Sequence, residues 1–427
     1  LDIKLLKKCY EDFTINKSKF EDMYNYYCGN SKAMKNYSAM EYQESHKANF
    51  NFIKKMLKEE VAWSVATPVS YTSKTNDKDI VQEIDYYLYH WNKNHDSELL
   101  KNLLIYSMSY ELYYIDKDGQ FSAKIITPRN GYAYIDDFEN VLLFMHVFNL
   151  KFDDRTYIDV YMDNLIYHFD SDFKEVKEPT PHIFNRVPVS IGIISEEKEK
   201  DTLYSDLKDI QDSYSIINSD GVNEITNTRQ AIMVGKGIQL DEETKTNLKQ
   251  YRFANLPGDK EASLDWLIKN LNPEYQRLMI ENLKEDMYEL SFHVNSSEKL
   301  QSNTSSLALR TRLINLESKT KLNNKALTNI LINRIKFLFL YLKILKNREY
   351  DFRSIGIKFN SVIPSDDLVI ANILSQLQDK VSLRTGLKQL SFIEDADAEI
   401  KQIKQEQEEF LQGQSILDNV GDDDGTE

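Results

Sequence analysis

Helix-breaking residues are missing from a long stretch of this chain. No proline lies between Pro273 and Pro364, and no glycine between Gly258 and Gly356. That stretch is therefore free to be helical almost throughout. Cysteine is also scarce. Cys9 and Cys28 are the only two, without CxxC spacing or a nearby histidine pattern, which excludes a zinc site or a disulfide scaffold and points to reduced thiols. Positive charge is in deficit, with 53 Lys and Arg against 68 Asp and Glu and a net charge of −15. A freestanding DNA binder gains affinity by neutralising phosphates with excess Lys and Arg, so tight gripping of DNA is excluded. There is no long apolar run. The longest, Leu331 to Leu345, is broken by Arg334 and Lys336 and is too short to span a bilayer, so it is expected to be a helix buried in protein. No signal peptide is recognised at the start, and Leu1 in place of Met suggests that a short piece precedes it.

The content that is present fits a folded protein. The 427 residues are 41% hydrophobic and 28% charged, which suffices for a core and for two or three domains. Apolar residues at three and four spacing predict helices over Leu5 to Tyr27 and Asn49 to Val65. Between Tyr106 and Ser195 the texture turns to aromatic and β-branched runs, with a hairpin turn at Lys117-Asp118-Gly119. A second striped segment follows, with Leu203, Leu207, Ile210, Tyr214, Ile217, Gly221 and Ile225 on one helical face. Another helix opens at Pro273, with the stripe Tyr275, Met279, Leu283, Met287 and Leu290. A polar interruption then precedes a helix from about Thr304 to Lys346. The C-terminal part reads as charged helix with an acidic tail. The class is α+β.

Signals for chemistry are weak. Gly235-Lys236-Gly237 lacks the spacing of a phosphate-cradling loop. The seven histidines are scattered, and His90 and His95 sit in a polar, Trp-containing stretch expected at the surface. No GxSxG elbow is present. The acid pairs Asp136-Asp137 and Asp153-Asp154 fall at turns between strands, where solvated carboxylates are the ordinary outcome. Twenty-six tyrosines would suit stacking on single-stranded bases, but such platforms come with basic grooves, and the charge here has the wrong sign. No catalytic residue, metal site or cofactor is assigned.

Several local strings appear in a characteristic order. They are Tyr26-Tyr27-Cys28-Gly29; Pro68-Val69-Ser70-Tyr71; Tyr110-Glu111-Leu112 with the Asp116 to Gly119 turn; and Asn185-Arg186-Val187-Pro188-Val189. Asp209, Asp212, Tyr214, Ser219, Asp220 and Asn223 follow on the striped helix, and Asn303-Thr304-Ser305-Ser306-Leu307-Ala308-Leu309 opens the long one. In these strings and their order the chain resembles the portal proteins of long-tailed (siphovirus-type) bacteriophages of Gram-positive bacteria. It departs at Ser109, where the family usually has Gly, and at Ser305-Ser306, where it favours Ser-Gly.

The resemblance implies a portal-like plan. Residues 1–202 form a wing of helices with a β-rich insert, 203–230 and 273–294 two stem helices, and 231–272 a clip between them. Residues 295–308 form a tunnel loop, 309–364 a long wing helix and strand, and 365–427 a helical crown with an acidic tail. It implies a homo-oligomeric ring of about twelve copies with heterologous contacts. It also implies passage of double-stranded DNA without sequence specificity, docking of the terminase large subunit and a head–tail adaptor, and contact with capsid and scaffold proteins. The expected location is the virion, at a capsid vertex, with assembly in the host cytoplasm and no membrane. Glu281, Glu285 and Glu289 would line the channel with like charge, and Lys299, Gln301, Ser302, Asn303 and Thr304 would face DNA in the tunnel loop. The alternative from another class is a metal-dependent nuclease or nucleotidyltransferase of a mobile element, built on Asp136 and Asp153.

Overall fold

The computed structural model describes residues 2–38, 45–228, 232–236, 263–267, 273–295, 306–359, 372, 374–377, 381–387, 390, 396 and 399–407. The chain divides into two compact units, Leu1–Ser302 with Arg310–Ser361, and Asn303–Leu309 with Val362–Glu427.

The first unit opens with capped helices. Asp2 accepts hydrogen bonds from Lys4 N and Leu5 N at the start of α1 (Ile3–Cys28), and Ser31 caps the short α2 (Lys32–Asn36). Asn51 caps α3 (Phe52–Val65) and Asp77 caps α4 (Lys78–Leu88). The next helix, α5 (His95–Tyr106), has no side-chain cap, but Asp96 and Glu98 lie in its first turn, where the helix dipole favours negative charge.

Strands follow as the composition shift predicts. The hairpin β2 (Met108–Ile115) and β3 (Phe121–Ile126) closes on Asp116, whose carboxylate accepts from Asp118 N and Gln120 N. Gly119 takes the left-handed conformation this turn requires (φ 76). Next comes a five-stranded antiparallel meander of β4 (Gly131–Ile135), β5 (Val141–Asn149), β6 (Thr156–Tyr161), β7 (Leu165–Asp170) and β8 (Glu175–Pro181). Leu6, Cys9 and Phe13 of α1 cover one of its faces, packing on Met145, Ile158, Val160 and Phe169. Its outer strand β8 is blunted by Pro179, Pro181 and three charged side chains, which discourages edge pairing. The chain then returns as β9 (Val189–Ile193) to pair with β2.

Two long helices come next, α6 (Leu203–Thr228) and α7 (Pro273–Ser291), with the antiparallel pair β10 (Ile232–Lys236) and β11 (Ser263–Leu267) between them in sequence. The 41-residue helix α8 (Ser306–Lys346) fills the stretch that lacks Pro and Gly. It is followed by β12 (Ile355–Lys358), which pairs with β1 (Ser70–Ser73). The C-terminal half of α8 is the spine of the core. Leu327, Ile330, Leu331, Leu338 and Leu342 are fully buried, each side chain stabilising the fold by roughly 1.5–3 kcal/mol relative to exposure. In the second unit, α9 (Leu383–Leu387) and helical residues 399–407 are described.

One sequence expectation changes here, at His95, and the break in the apolar run proves to be a buried charge. Arg334, which breaks the apolar run, is itself buried, with 2% exposure. Its guanidinium donates to both oxygens of Glu111 (Nη2 to Oε1 at 2.6 Å, Nε to Oε2 at 3.2 Å), to Asp96 at 2.8 Å and to Tyr71 at 3.2 Å. It also lies 4.9 Å from the centroid of the Trp91 ring. His95 is not a surface residue. Its Nε2 lies 2.7 Å from Glu111 Oε1, and its side chain is only 12% exposed. The run of apolar residues on α8 buries its charge by delivering it to partners from β1, α5 and β2.

Candidate functional site

Helices α6 and α7 lie side by side and antiparallel. Gln276 of α7 donates from Nε2 to Ile217 O at 3.1 Å. At the other end Leu290 shares a groove with Leu203 and Asp206. The pair is close enough that a Cβ on Gly221 would lie 2.3 Å from Gln276 Nε2, so glycine is what lets this side chain cross to α6. On α6, Leu203, Leu207 and Tyr214 are buried, as the stripe predicts, whereas Ile225 is 64% exposed. On α7 the stripe is displaced. Tyr275 and Leu290 are exposed, while Met287 and Tyr288 are buried and Ile280 and Leu283 pack against the core. A helix that meets neighbours on two sides does not bury a single four-residue row, and Tyr288 inserts beside Phe52 of α3 instead.

A polar ladder on α6 was not foreseen from sequence. Gln211, Ser215, Ser219 and Asn223 repeat at four-residue spacing and are all buried. Each accepts a backbone N–H from residues 46–53, three from the irregular stretch that leads into α3 and one, Ile53, from the first turn of α3. Gln211 accepts from Ile53 at 3.0 Å, Ser215 from Phe50 at 3.4 Å, Ser219 from Ala48 at 2.9 Å and Asn223 from His46 at 2.8 Å. Asn223 also donates to His46 O at 2.7 Å. The segment forms no sheet ladder, so these side chains satisfy backbone groups that burial would otherwise strand. The signal was present as the spacing itself, but polar residues four apart read as a solvated face. Tyr26 and Tyr37 donate to Asp212 and Asp220 beside the ladder.

Glu281, Glu285 and Glu289 stand on α7 at four-residue spacing and all are exposed. Arg277 begins the same row and lies 3.8 Å from Glu281. The row is thus a column of carboxylates with one cation at its start. Where α7 ends, His293 is fully buried. Its ring nitrogens face Ser291 O at 2.8 Å and Met56 O at 3.1 Å, and Glu60 Oε1 lies 3.8 Å away. Burial pushes the His293 pKa down, against the pull of Glu60. Glu60, 1% exposed, takes Lys319 at 3.0 Å and the Asn323 amide at 2.7 Å, both from α8. Lys319 also donates to Ser291 O at 3.2 Å. The end of α7 is thereby tied to α3 and α8 by one ionic cluster.

The five residues expected in a tunnel loop, Lys299, Gln301, Ser302, Asn303 and Thr304, lie outside the described residues, as does most of 231–272. Among the described residues no group of three or more His, Cys, Asp or Glu is placed to hold a metal ion. Asp136 accepts from Phe138 N and Asn140 N in its own turn, at 2.9 and 2.8 Å, and Asp153 is held by Arg155 and Tyr157. Both are turn carboxylates. Also among the described residues, no helix is long and apolar enough to cross a membrane.

The described residues thus form a mixed helix-and-sheet scaffold on which α6 and α7 pair antiparallel, with an exposed acidic row on α7. The chain belongs to the family described as "Phage portal protein, SPP1 Gp6-like", whose profile matches residues 6–412. Among solved structures, it is similar to a chain from the neck of an empty GTA particle (TM-score 0.48, 11% identity), covering 77% of this chain and 86% of that one. It is also similar to a chain from the virion of a native gene transfer agent particle (TM-score 0.47, 12% identity), with the same coverage, 77% and 86%. No curated protein sequence matches significantly. Family membership makes the chain a structural subunit of the portal channel at a capsid vertex and a component of a bacteriophage virion, and it overturns the nuclease alternative built on Asp136 and Asp153.

Proposed function

We propose that copies of this chain close into a ring, of about twelve by the family resemblance and with heterologous contacts, whose bore passes double-stranded DNA during packaging and ejection. The supporting observation is the α6–α7 pair. It is held by the polar ladder and the Glu60 cluster, and it leaves Glu281, Glu285 and Glu289 in an exposed column. In a ring that column is repeated around the bore. Salt screens such charge beyond about 8–10 Å, so it acts only on DNA passing close by. There it disfavours phosphate adhesion, which suits a conduit, since many Lys–phosphate contacts would hold the duplex still.

In this reading α6 and α7 are the stem, residues 1–202 and 309–364 the wing, and 365–427 the crown. Residues 231–272 form the clip, where the terminase large subunit and later the head–tail adaptor dock. The wing meets capsid and scaffold proteins during assembly in the host cytoplasm. Lys299, Gln301, Ser302, Asn303 and Thr304 make mild contacts with the DNA backbone, of the kind that position a duplex without reading its sequence.

The test is assembly followed by retention. Purified chain is examined by light scattering and negative-stain imaging for rings with a central hole. Rings carrying Glu281→Lys, Glu285→Lys and Glu289→Lys together should assemble and retain linear duplex DNA at low salt, while wild-type rings release it. Assembly of the triple variant with no gain in retention would remove these residues from the bore. In infection, Lys299→Glu should impair packaging while rings still form.

A further inference from the structure

Another surface of the first unit opposes the charge of the chain as a whole. At the C-terminal half of α8, an open groove of about 310 Å3 has Phe339, Tyr350 and Phe352 on its floor. Phe339 packs on Tyr350 with ring centroids 5.3 Å apart. The rim carries Arg186, Lys336, Lys343 and Glu349. Lys343 is neutralised by Glu349. Among the described residues Lys336 donates to one acceptor, the neutral Asn333 Oδ1 at 3.1 Å, and its ammonium lies 4.7 Å from the Phe352 centroid. Arg186 is exposed and makes no ion pair among the described residues. Nearby cations are treated differently, since Lys346 and Arg348 both reach Glu83, at 3.2 and 3.0 Å. In a chain of net charge −15, Arg186 and Lys336 are thus left beside an aromatic floor, whose Tyr350 hydroxyl donates to Glu83 at 2.7 Å, with no carboxylate paired to either cation among the described residues.

We infer that this groove docks an acidic segment of a protein partner, which places carboxylates on Arg186 and Lys336 and an apolar side chain on the floor beside Phe339 and Phe352. The charge complementarity is local. A guanidinium takes a carboxylate in a two-point contact, and the aromatic floor rewards burial of an apolar side chain. A nucleic-acid backbone fits less well, because each phosphate needs its own cation in a continuous track, and Glu83 and Glu349 interrupt any such track here. The inference concerns the single chain and stands whether or not the ring reading holds.

The full chain is titrated into a short fluorescein-labelled peptide of alternating Glu and Leu, followed by anisotropy. The comparisons are the same peptide with Gln for Glu, and unlabelled duplex DNA as competitor. Arg186→Glu and Lys336→Gln alter exposed or half-buried side chains, and melting curves confirm that both variants remain folded. Each should weaken the Glu/Leu peptide about tenfold, the loss expected for one charge-assisted contact. The control Lys151→Glu, in the β5–β6 turn, should leave affinity unchanged, and the Gln/Leu peptide should bind more weakly than the Glu/Leu one. The proposal is overturned by absence of Glu/Leu binding, by equal binding of the Gln/Leu peptide, by equal losses in Lys151→Glu, or by displacement of the peptide by DNA.

Discussion

Two ionic clusters are buried against the long helix α8, and they are built in opposite ways. The one nearer the C-terminal end is centred on a cation. Arg334 is answered by Glu111, Asp96, Tyr71 and the Trp91 face, and Glu111 in turn by His95 and Tyr113. The one nearer the N-terminal end is centred on a carboxylate, Glu60, answered by Lys319 and Asn323 with His293 alongside. The side chain of Lys319 is 22% exposed and that of Arg334 only 3%. The first cluster seals its central pair, Arg334 and Glu111, and touches solvent only at its outer members such as Asp96. The second reaches solvent through its lysine and contains a histidine whose charge is opposed by burial. A buried ion pair adds little net stability over an apolar packing, but it strongly penalises a chain that sets its elements in the wrong register. One cluster therefore fixes where α8 meets the sheet. The other fixes where α7 ends, at the threshold of the proposed tunnel loop.

The sharpest way to break this comparison is Arg334→Met. It leaves Glu111 buried without its counter-charge, and should cost about 3–5 kcal/mol of stability. Urea unfolding at neutral pH measures it. Adding Glu111→Gln should recover a substantial part, because the stranded charge is gone. Additive losses in the double variant would mean that the cluster acts through packing alone.

Acid separates the clusters next. For Glu111, burial pushes the pKa up, but Arg334 and His95 overcome this and hold it at about 2. Its folded value lies below the unfolded one, so its contribution is present above the usual 4.5 and is lost as pH falls toward 2. The loss is of order 3 kcal/mol. His293 has its pKa lowered by burial, with Glu59, Glu60 and Lys319 facing it. The unfolded chain then binds the proton more readily than the folded one, so this term begins to fail as pH drops below 6.5, well before the other. His146, buried and pushed down to about 3, adds a loss in the same window. Stability measured against pH should therefore begin to fall below 6.5 and fall further below 4.5, and His293→Gln should reduce only the upper loss, leaving the part due to His146. A single step near pH 4 would make the clusters equivalent.

Much of the scaffold was legible from local rules. The absence of Pro and Gly marked α8, and the Asp116 to Gly119 turn marked its hairpin. The α6 stripe was legible for most of its length, until Ile225, which is exposed. The clusters were not legible, because their partners are far apart in sequence. Arg334 looks like a break in an apolar run until Glu111 arrives from a strand 223 residues away. His95 looks solvated until the same carboxylate reaches it. The ladder Gln211, Ser215, Ser219 and Asn223 has a clear period, but only the course of residues 46–53 shows that it faces inward. Glu281, Glu285 and Glu289 were legible as an exposed row because exposure needs no partner.

A smaller effect is expected at Glu60. Glu60→Gln keeps the acceptor for Asn323 and frees Lys319, which already touches solvent, so the cost should be about 1–2 kcal/mol rather than that of a stranded charge. If Glu60→Gln cost as much as Arg334→Met, the contrast between a sealed cation and one that touches solvent would fail.

The smallest effect is expected where α6 and α7 are tied without charge. At Gly221 an added Cβ would meet only the end of a flexible side chain, Gln276. Gly221→Ala should release the Gln276 bond to Ile217 O, a loss of about 0.5–1.5 kcal/mol. It should also gain about 0.8–1 kcal/mol from the better helix former. The two nearly cancel, so thermal unfolding should shift by no more than about 0.5 kcal/mol in either direction. Gly221→Leu cannot be accommodated by moving Gln276 alone and should force the helices apart. A neutral tie would then prove tolerant of a methyl group and intolerant of bulk, a steric dependence that neither ionic cluster shares. A large loss for Gly221→Ala would instead show that the α6–α7 spacing is as tightly specified as the buried charges.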